Sequence, residues 1–135
     1  MLYAFPLTFI PLVLFNLIAF AVGGAPWGDQ AFAIPMVGGL WKVTLGDLML
    51  LLGLLMLFFE TLKATRPAVR AISNHLASTA VFIVYLIEFI LVGVAANSTF
   101  FFLMVIALFD VAAGFTISIR TASRDIEFTR TVGGA

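Results

Sequence analysis

The sequence predicts an all-α membrane protein, a four-transmembrane-helix bundle with a short external hairpin or cap between its first two helices. Three observations predict this fold. Hydrophobic residues make up 63% of the 135 residues and charged residues only 10%, against roughly 45–50% and about 25% in soluble domains. The apolar residues form four blocks, and the cations gather between or after these blocks.

The four predicted helices lie at about residues 5–22, 45–62, 78–96 and 99–120. A bilayer hydrocarbon core of roughly 30 Å takes about 20 helical residues to cross, so each apolar block is close to the length of a span. Lipid can then cover apolar surface that a chain this short could not bury in a core of its own. A single transmembrane domain over residues 1–135 is therefore expected.

The positions of lysine and arginine predict the orientation. Six of the seven cations lie between the second and third blocks or after the fourth: Lys63, Arg66, Arg70, Arg120, Arg124 and Arg130. Because cytoplasmic loops carry the excess of positive charge, both termini, the loop at residues 63–77 and the tail at residues 121–135 are predicted to be cytoplasmic. The connection at residues 23–44 is predicted to be external. The expected location is a bacterial inner membrane.

The external connection carries the hairpin signal. Two short apolar runs, residues 31–36 and 40–45, flank a Gly-Gly pair, and such a pair between β-capable runs favours a tight turn. Trp27 and Trp41 are the only tryptophans. Because amphipathic indoles are enriched at the membrane–water boundary, we expect them to be interface anchors. Recognition of a partner or ligand is the alternative role for them.

Small residues on the helix faces predict where helices pack. Such residues let two backbones approach closely. Those singled out are Gly46, Gly53, Ala107 and Gly114.

Three charged residues near helix ends have structural interpretations. Asp47 lies near the start of the second helix, where a carboxylate caps exposed amides and interacts favourably with the helix dipole. Glu60 lies three residues before Lys63 and is predicted to pair with it or to extend toward the interface.

Glu88 and Asp110 are the two carboxylates placed deep inside apolar blocks. Glu88 lies ten residues after Ser78, and Asp110 lies ten residues before Arg120. Both would then be about 15 Å from the same boundary, at matching depth. Their two helices are expected to be antiparallel neighbours.

Two further polar residues complete a predicted intramembrane cluster. Tyr85 lies one helical turn from Glu88, and Asn16 lies at a similar depth in the first helix. A lysine or arginine is absent at that depth in the sequence, so the acids would favour holding at least one proton. They serve either as interhelical hydrogen-bonding groups or as a proton or ion site.

The sequence predicts neither catalytic residues nor a metal site or cofactor. There is no cysteine and only one histidine, His75, so thiolate chemistry and cysteine-based metal sites are excluded. A lone histidine at an interface is more often a solvated polar residue than a ligand. An enzyme is therefore not expected, and nor is a nucleic-acid partner.

The expected function is that of a small non-enzymatic membrane protein. It would act as a helical subunit of a homo-oligomeric or larger membrane complex, with the lipid bilayer and itself or other membrane-protein subunits as its partners. The alternative is a small proton- or cation-coupled transporter or channel that uses Glu88 and Asp110.

Overall fold

The structure is a computed structural model that describes residues 5–63 and 68–133. Arg66 in the predicted cytoplasmic loop lies outside the described residues, as do the last two residues of the tail. The expected helical architecture and the small hairpin are confirmed. The elements in chain order are α1 (Phe9–Val22), β1 (Gln30–Met36), β2 (Gly39–Thr44), α2 (Leu45–Lys63), α3 (Ala68–Leu91) and α4 (Ser98–Gly133).

Three of the helices are long and apolar enough to cross a membrane. They are α2 as a whole, the segment Ser73–Leu91 of α3 and the segment Ser98–Thr116 of α4. These helices indicate a membrane location. Helix α1 has 14 residues and is therefore roughly 21 Å long, shorter than the hydrocarbon core. The length of α1 alone does not establish a fourth span.

The hairpin leads directly into α2. Strands β1 and β2 pair antiparallel, with Met36 opposite Gly39 across a two-residue turn. Thr44 and Asp47 then form reciprocal hydrogen bonds: the Asp47 amide donates to Thr44 Oγ1 over 3.1 Å, and the Thr44 amide donates to Asp47 Oδ2 over 2.9 Å. This is a capping box, and it confirms the predicted role of Asp47.

The ends of the helices differ from the predicted boundaries. Helix α3 ends at Leu91 because Val92 is extended. At the start of α4, Asn97 Oδ1 accepts a hydrogen bond from the Phe100 amide. The predicted third helix therefore ends five residues earlier than expected. Helix α4 continues to Gly133, since residues 120–132 contain neither proline nor glycine to stop it.

Aromatic side chains fill the core between the helices. Phe15, Tyr85 and Phe100 are almost completely buried. The Phe15 ring stacks on Trp27 with 4.4 Å between centroids and meets Phe100 edge to face at 4.8 Å. Only 17–39% of the three apolar segments is buried inside the protein. Most of their apolar surface is therefore left for lipid or another protein to cover.

The small residues singled out in the sequence lie at close helix contacts. A Cβ atom at Gly46 would lie 2.7 Å from Thr99 Oγ1 and 2.9 Å from the Trp27 carbonyl oxygen. At Gly53 it would lie 2.8 Å from Leu103 Cδ2, and at Gly114 it would lie 2.8 Å from the His75 ring. The fourth small residue, Ala107, is 1% exposed.

We expect Gly46→Ala to lower the free energy of unfolding by about 1–3 kcal/mol, because the new methyl group meets a backbone oxygen that cannot rotate away. Gly133→Ala is the matched control, since nothing lies within 4 Å of a Cβ at that position. Thermal unfolding in mild detergent, followed by circular dichroism, compares the two. Equal stability of both variants would contradict the close contact at Gly46.

Candidate functional site

Glu60 is the most completely buried charged residue in the described part of the chain, with 1% exposure. Its Oε2 atom accepts hydrogen bonds from the Leu7 amide over 2.9 Å and from Lys63 Nζ over 3.3 Å. Its Oε1 atom accepts from Asn74 Nδ2 over 2.6 Å. Lys63 also donates to the Phe5 carbonyl oxygen over 2.7 Å. The pairing of Glu60 with Lys63 is confirmed, and the carboxylate also binds the chain just before α1.

Asp110 lies beside the same end of α1 and is 6% exposed. Thr8 Oγ1 donates to Asp110 Oδ2 over 3.4 Å. The Tyr85 hydroxyl donates to the Thr8 carbonyl oxygen over 2.8 Å. Thr8 therefore connects Asp110 in α4 with Tyr85 in α3.

Glu88 binds Asn16 and is separate from these contacts. Asn16 Nδ2 donates to Glu88 Oε2 over 3.1 Å and to the Leu12 carbonyl oxygen over 2.9 Å. Glu88 Oε1 is buried but has no hydrogen-bond partner among the described residues. One oxygen of this carboxylate is therefore satisfied and the other is not.

The two acids lie at different levels, in contrast to the matching depth that was expected. Glu88 is three residues from the end of α3 at Leu91, roughly 4.5 Å, whereas Asp110 is twelve residues from the start of α4 at Ser98, roughly 18 Å. The two helix ends meet at the turn that joins them. The acids are therefore separated by roughly 13 Å along the bundle. Their partners on α1 are eight residues apart, which gives a similar offset.

The predicted cluster of four residues is thus divided between two places. Asn16 and Glu88 contact each other directly, whereas Tyr85 and Asp110 share Thr8 as a partner. Thr8 and Glu60 were not predicted to belong to the cluster. Counting residues from the starts of α2 and α4 could have found Glu60, which lies fifteen residues into α2 at a level close to that of Asp110.

The two tryptophans occupy different environments. Trp41 is 52% exposed on β2, and its role as an interface anchor stays a prediction. Trp27 is 5% exposed and packs on Phe15 inside the bundle. Trp27 was expected at the surface as an interface anchor, but the structure places it in the core. The 3₁₀ turn at Pro26–Gly28 directs its ring inward.

His75 also differs from the expected solvated position. Its ring lies against Gly114 and contacts Phe115, with 3.8 Å between ring centroids. Within the described ranges, residues 5–63 and 68–133, there is no group of three or more His, Cys, Asp or Glu side chains that could hold a metal ion. Comparisons with protein families, with curated proteins and with solved structures found no match for this chain.

We expect Glu60→Gln to lower the free energy of unfolding by about 3 kcal/mol, because it leaves the Lys63 ammonium without its counter-charge in a buried site. An amide also cannot accept all three hydrogen bonds that the carboxylate accepts. Thermal unfolding in mild detergent measures the loss.

Glu127→Gln on the exposed end of α4 removes the same charge from an exposed position and serves as the control. The double variant Glu60→Gln with Lys63→Met should recover part of the stability, since it removes both charges. A double variant that is no more stable than Glu60→Gln alone would contradict the importance of the ion pair.

Proposed function

We propose that this chain is a non-enzymatic subunit of a membrane assembly in a bacterial inner membrane. It crosses the bilayer four times, with both termini in the cytoplasm, and it associates with copies of itself or with other membrane-protein subunits. The observation that carries the proposal is the continuation of α4 beyond its apolar segment.

The α4 extension comprises residues 117–133, which follow the apolar segment of α4. Seventeen helical residues reach roughly 25 Å past the end of that segment. Arg120, Arg124 and Arg130 lie in the extension, and charge at this density is incompatible with a hydrocarbon environment. The extension is therefore assigned to water on the cytoplasmic side.

Large apolar side chains are exposed along this charged helix. The four that stand out are each 63–72% exposed: Ile119, Ile126, Phe128 and Val132. Single exposed apolar residues are ordinary on a protein surface. Ile119 and Ile126 share one face of the helix, and Phe128 and Val132 lie on nearly the opposite face. Such exposed apolar pairs among charges of both signs are typical of a helix that packs against a partner. A second copy of the chain presents the same combination of apolar and charged groups.

The membrane segments also leave surface for assembly. Most of each apolar segment lies outside the core, so the sides of the bundle can contact lipid and neighbouring helices at once. The alternative function, a small proton- or cation-coupled transporter or channel that uses Glu88 and Asp110 together, has less support. An offset of roughly 13 Å between the two acids is too long for a direct proton transfer between them.

Single-cysteine labelling tests the topology, because the chain has no cysteine of its own. We expect Lys42→Cys to react with a membrane-impermeant maleimide in spheroplasts, and Phe5→Cys and Arg124→Cys to react only after permeabilisation. Labelling of Phe5→Cys together with Lys42→Cys would show that α1 does not cross. Labelling of Lys42→Cys and Arg124→Cys from the same side would contradict the three spans between them.

Cysteine cross-linking tests the assembly. We expect Ile119→Cys and Ile126→Cys, which share one face of the helix, to form disulfide-linked dimers, or adducts with another subunit, when native membranes are oxidised. Leu40→Cys on the hairpin is the control, since this side chain is similarly apolar and is 58% exposed. Cross-linking no stronger than in this control, together with a monomeric mass in mild detergent, would overturn the proposal.

A further inference from the structure

We infer that the groove between α1 and α3 binds a lipophilic monovalent cation of low hydration, such as a quaternary ammonium or phosphonium ion, with Glu88 as its counter-charge. This inference does not depend on the proposed assembly, because the groove is formed within one chain. It also requires binding only, without transport.

The groove is a wide apolar surface with one carboxylate in its lining. Its volume is about 650 Å³, which lies in the range of small-molecule sites. Val13, Leu17 and Phe20 from α1 and Val84 from α3 contribute apolar walls. Helix α1 packs less closely against α3 than against α2, so the space between α1 and α3 stays open.

The charge of the groove is unbalanced. Asn16 and Glu88 are the polar side chains of its lining, and lysine and arginine are absent from the described lining residues. Asn16 satisfies one oxygen of Glu88, and the other oxygen has no donor in the described part of the chain. A carboxylate in apolar surroundings attracts a cation strongly, because little solvent screens the interaction.

The burial of one carboxylate oxygen of Glu88 favours one kind of cation over another. The unsatisfied oxygen is covered by neighbouring atoms. A ligand in the groove would therefore interact with the charge of Glu88 and would not donate a hydrogen bond to this oxygen. A small, strongly hydrated ion would lose its water without gaining a set of ligands. A large cation with dispersed charge loses little hydration, and its apolar groups can contact the walls of the groove.

Binding of two ions of the same shape and opposite charge tests the inference. The parent protein in phosphatidylcholine nanodiscs is dialysed against labelled tetraphenylphosphonium or tetraphenylborate, with empty nanodiscs as the blank. We expect saturable binding of one phosphonium ion per chain above the blank and no saturable binding of the borate. Saturable binding of both ions, or of neither, would overturn the inference.

Three variants locate the site. Glu88→Gln keeps an oxygen that can accept from Asn16 but removes the charge, and it should weaken phosphonium binding about tenfold or more. Leu17→Trp fills the groove while the charge remains, and it should also reduce binding. Glu127→Gln removes a carboxylate outside the groove and should bind like the parent.

A folding control distinguishes a loss of the binding site from a general loss of structure. Thermal unfolding in the same nanodiscs reports whether each variant is folded, and Leu17→Trp tests the groove even where Glu88→Gln is unstable. Parent-like binding by either Glu88→Gln or Leu17→Trp would overturn the inference. So would an equal loss of binding in Glu127→Gln.

Discussion

The polar contacts at the amino end of α1 are the constraint on which the rest of the bundle depends. Each of the other three helices contributes one of them: Glu60 from α2 accepts from the Leu7 amide, Asp110 from α4 accepts from Thr8, and Tyr85 from α3 donates to the Thr8 carbonyl oxygen. The first amides of a helix have no partner inside it, and this end carries positive partial charge. Carboxylates are therefore stabilised at this place, and they fix α1 relative to all three neighbours.

The groove between α1 and α3 results from the contacts that fix α1 in the bundle. Its amino end is fixed by polar contacts, and Phe15 near its middle stacks on Trp27, which follows α1 in the chain. Helix α1 packs less closely against α3 than against α2. Asn16 of α1 and Glu88 of α3 form a side-chain hydrogen bond. The open apolar space and the incompletely paired carboxylate therefore arise together.

Sequence patterns predicted the parts of the fold that depend on local chemistry. The apolar blocks gave the helices, the Gly-Gly pair gave the hairpin, and Asp47 was correctly assigned to a cap. The end of α3 was predicted wrongly, because the apolar run from Leu91 to Ala96 is typical of a helix and nothing in it indicates that Val92 is extended. The unbroken α4 was missed because charges in residues 120–132 suggested a tail, although these residues contain no helix-breaking residue.

The candidate site was harder to predict, because its contacts join residues that are far apart in the chain. Glu88 binds a residue 72 positions away, and Asp110 binds one 102 positions away. Depth counted from one membrane boundary placed both acids at one level. That count assumed that Ser78 and Arg120 lie at the same boundary, whereas Glu88 is three residues and Asp110 twelve residues from the helix ends that are joined by the connecting turn.

The three buried or partly buried acids differ in how far their charge is compensated, and this difference assigns them different roles. Glu60 has a lysine, an amide nitrogen and an asparagine, so it is satisfied and structural. Asp110 has the Thr8 hydroxyl as a donor and lies beside the positive end of α1. Glu88 has a single donor, and it is the one that lines an open space. Among these acids, Glu88 has the least compensated charge and lies beside an accessible apolar groove. A bound cation would therefore lower the free energy of the folded protein most at Glu88.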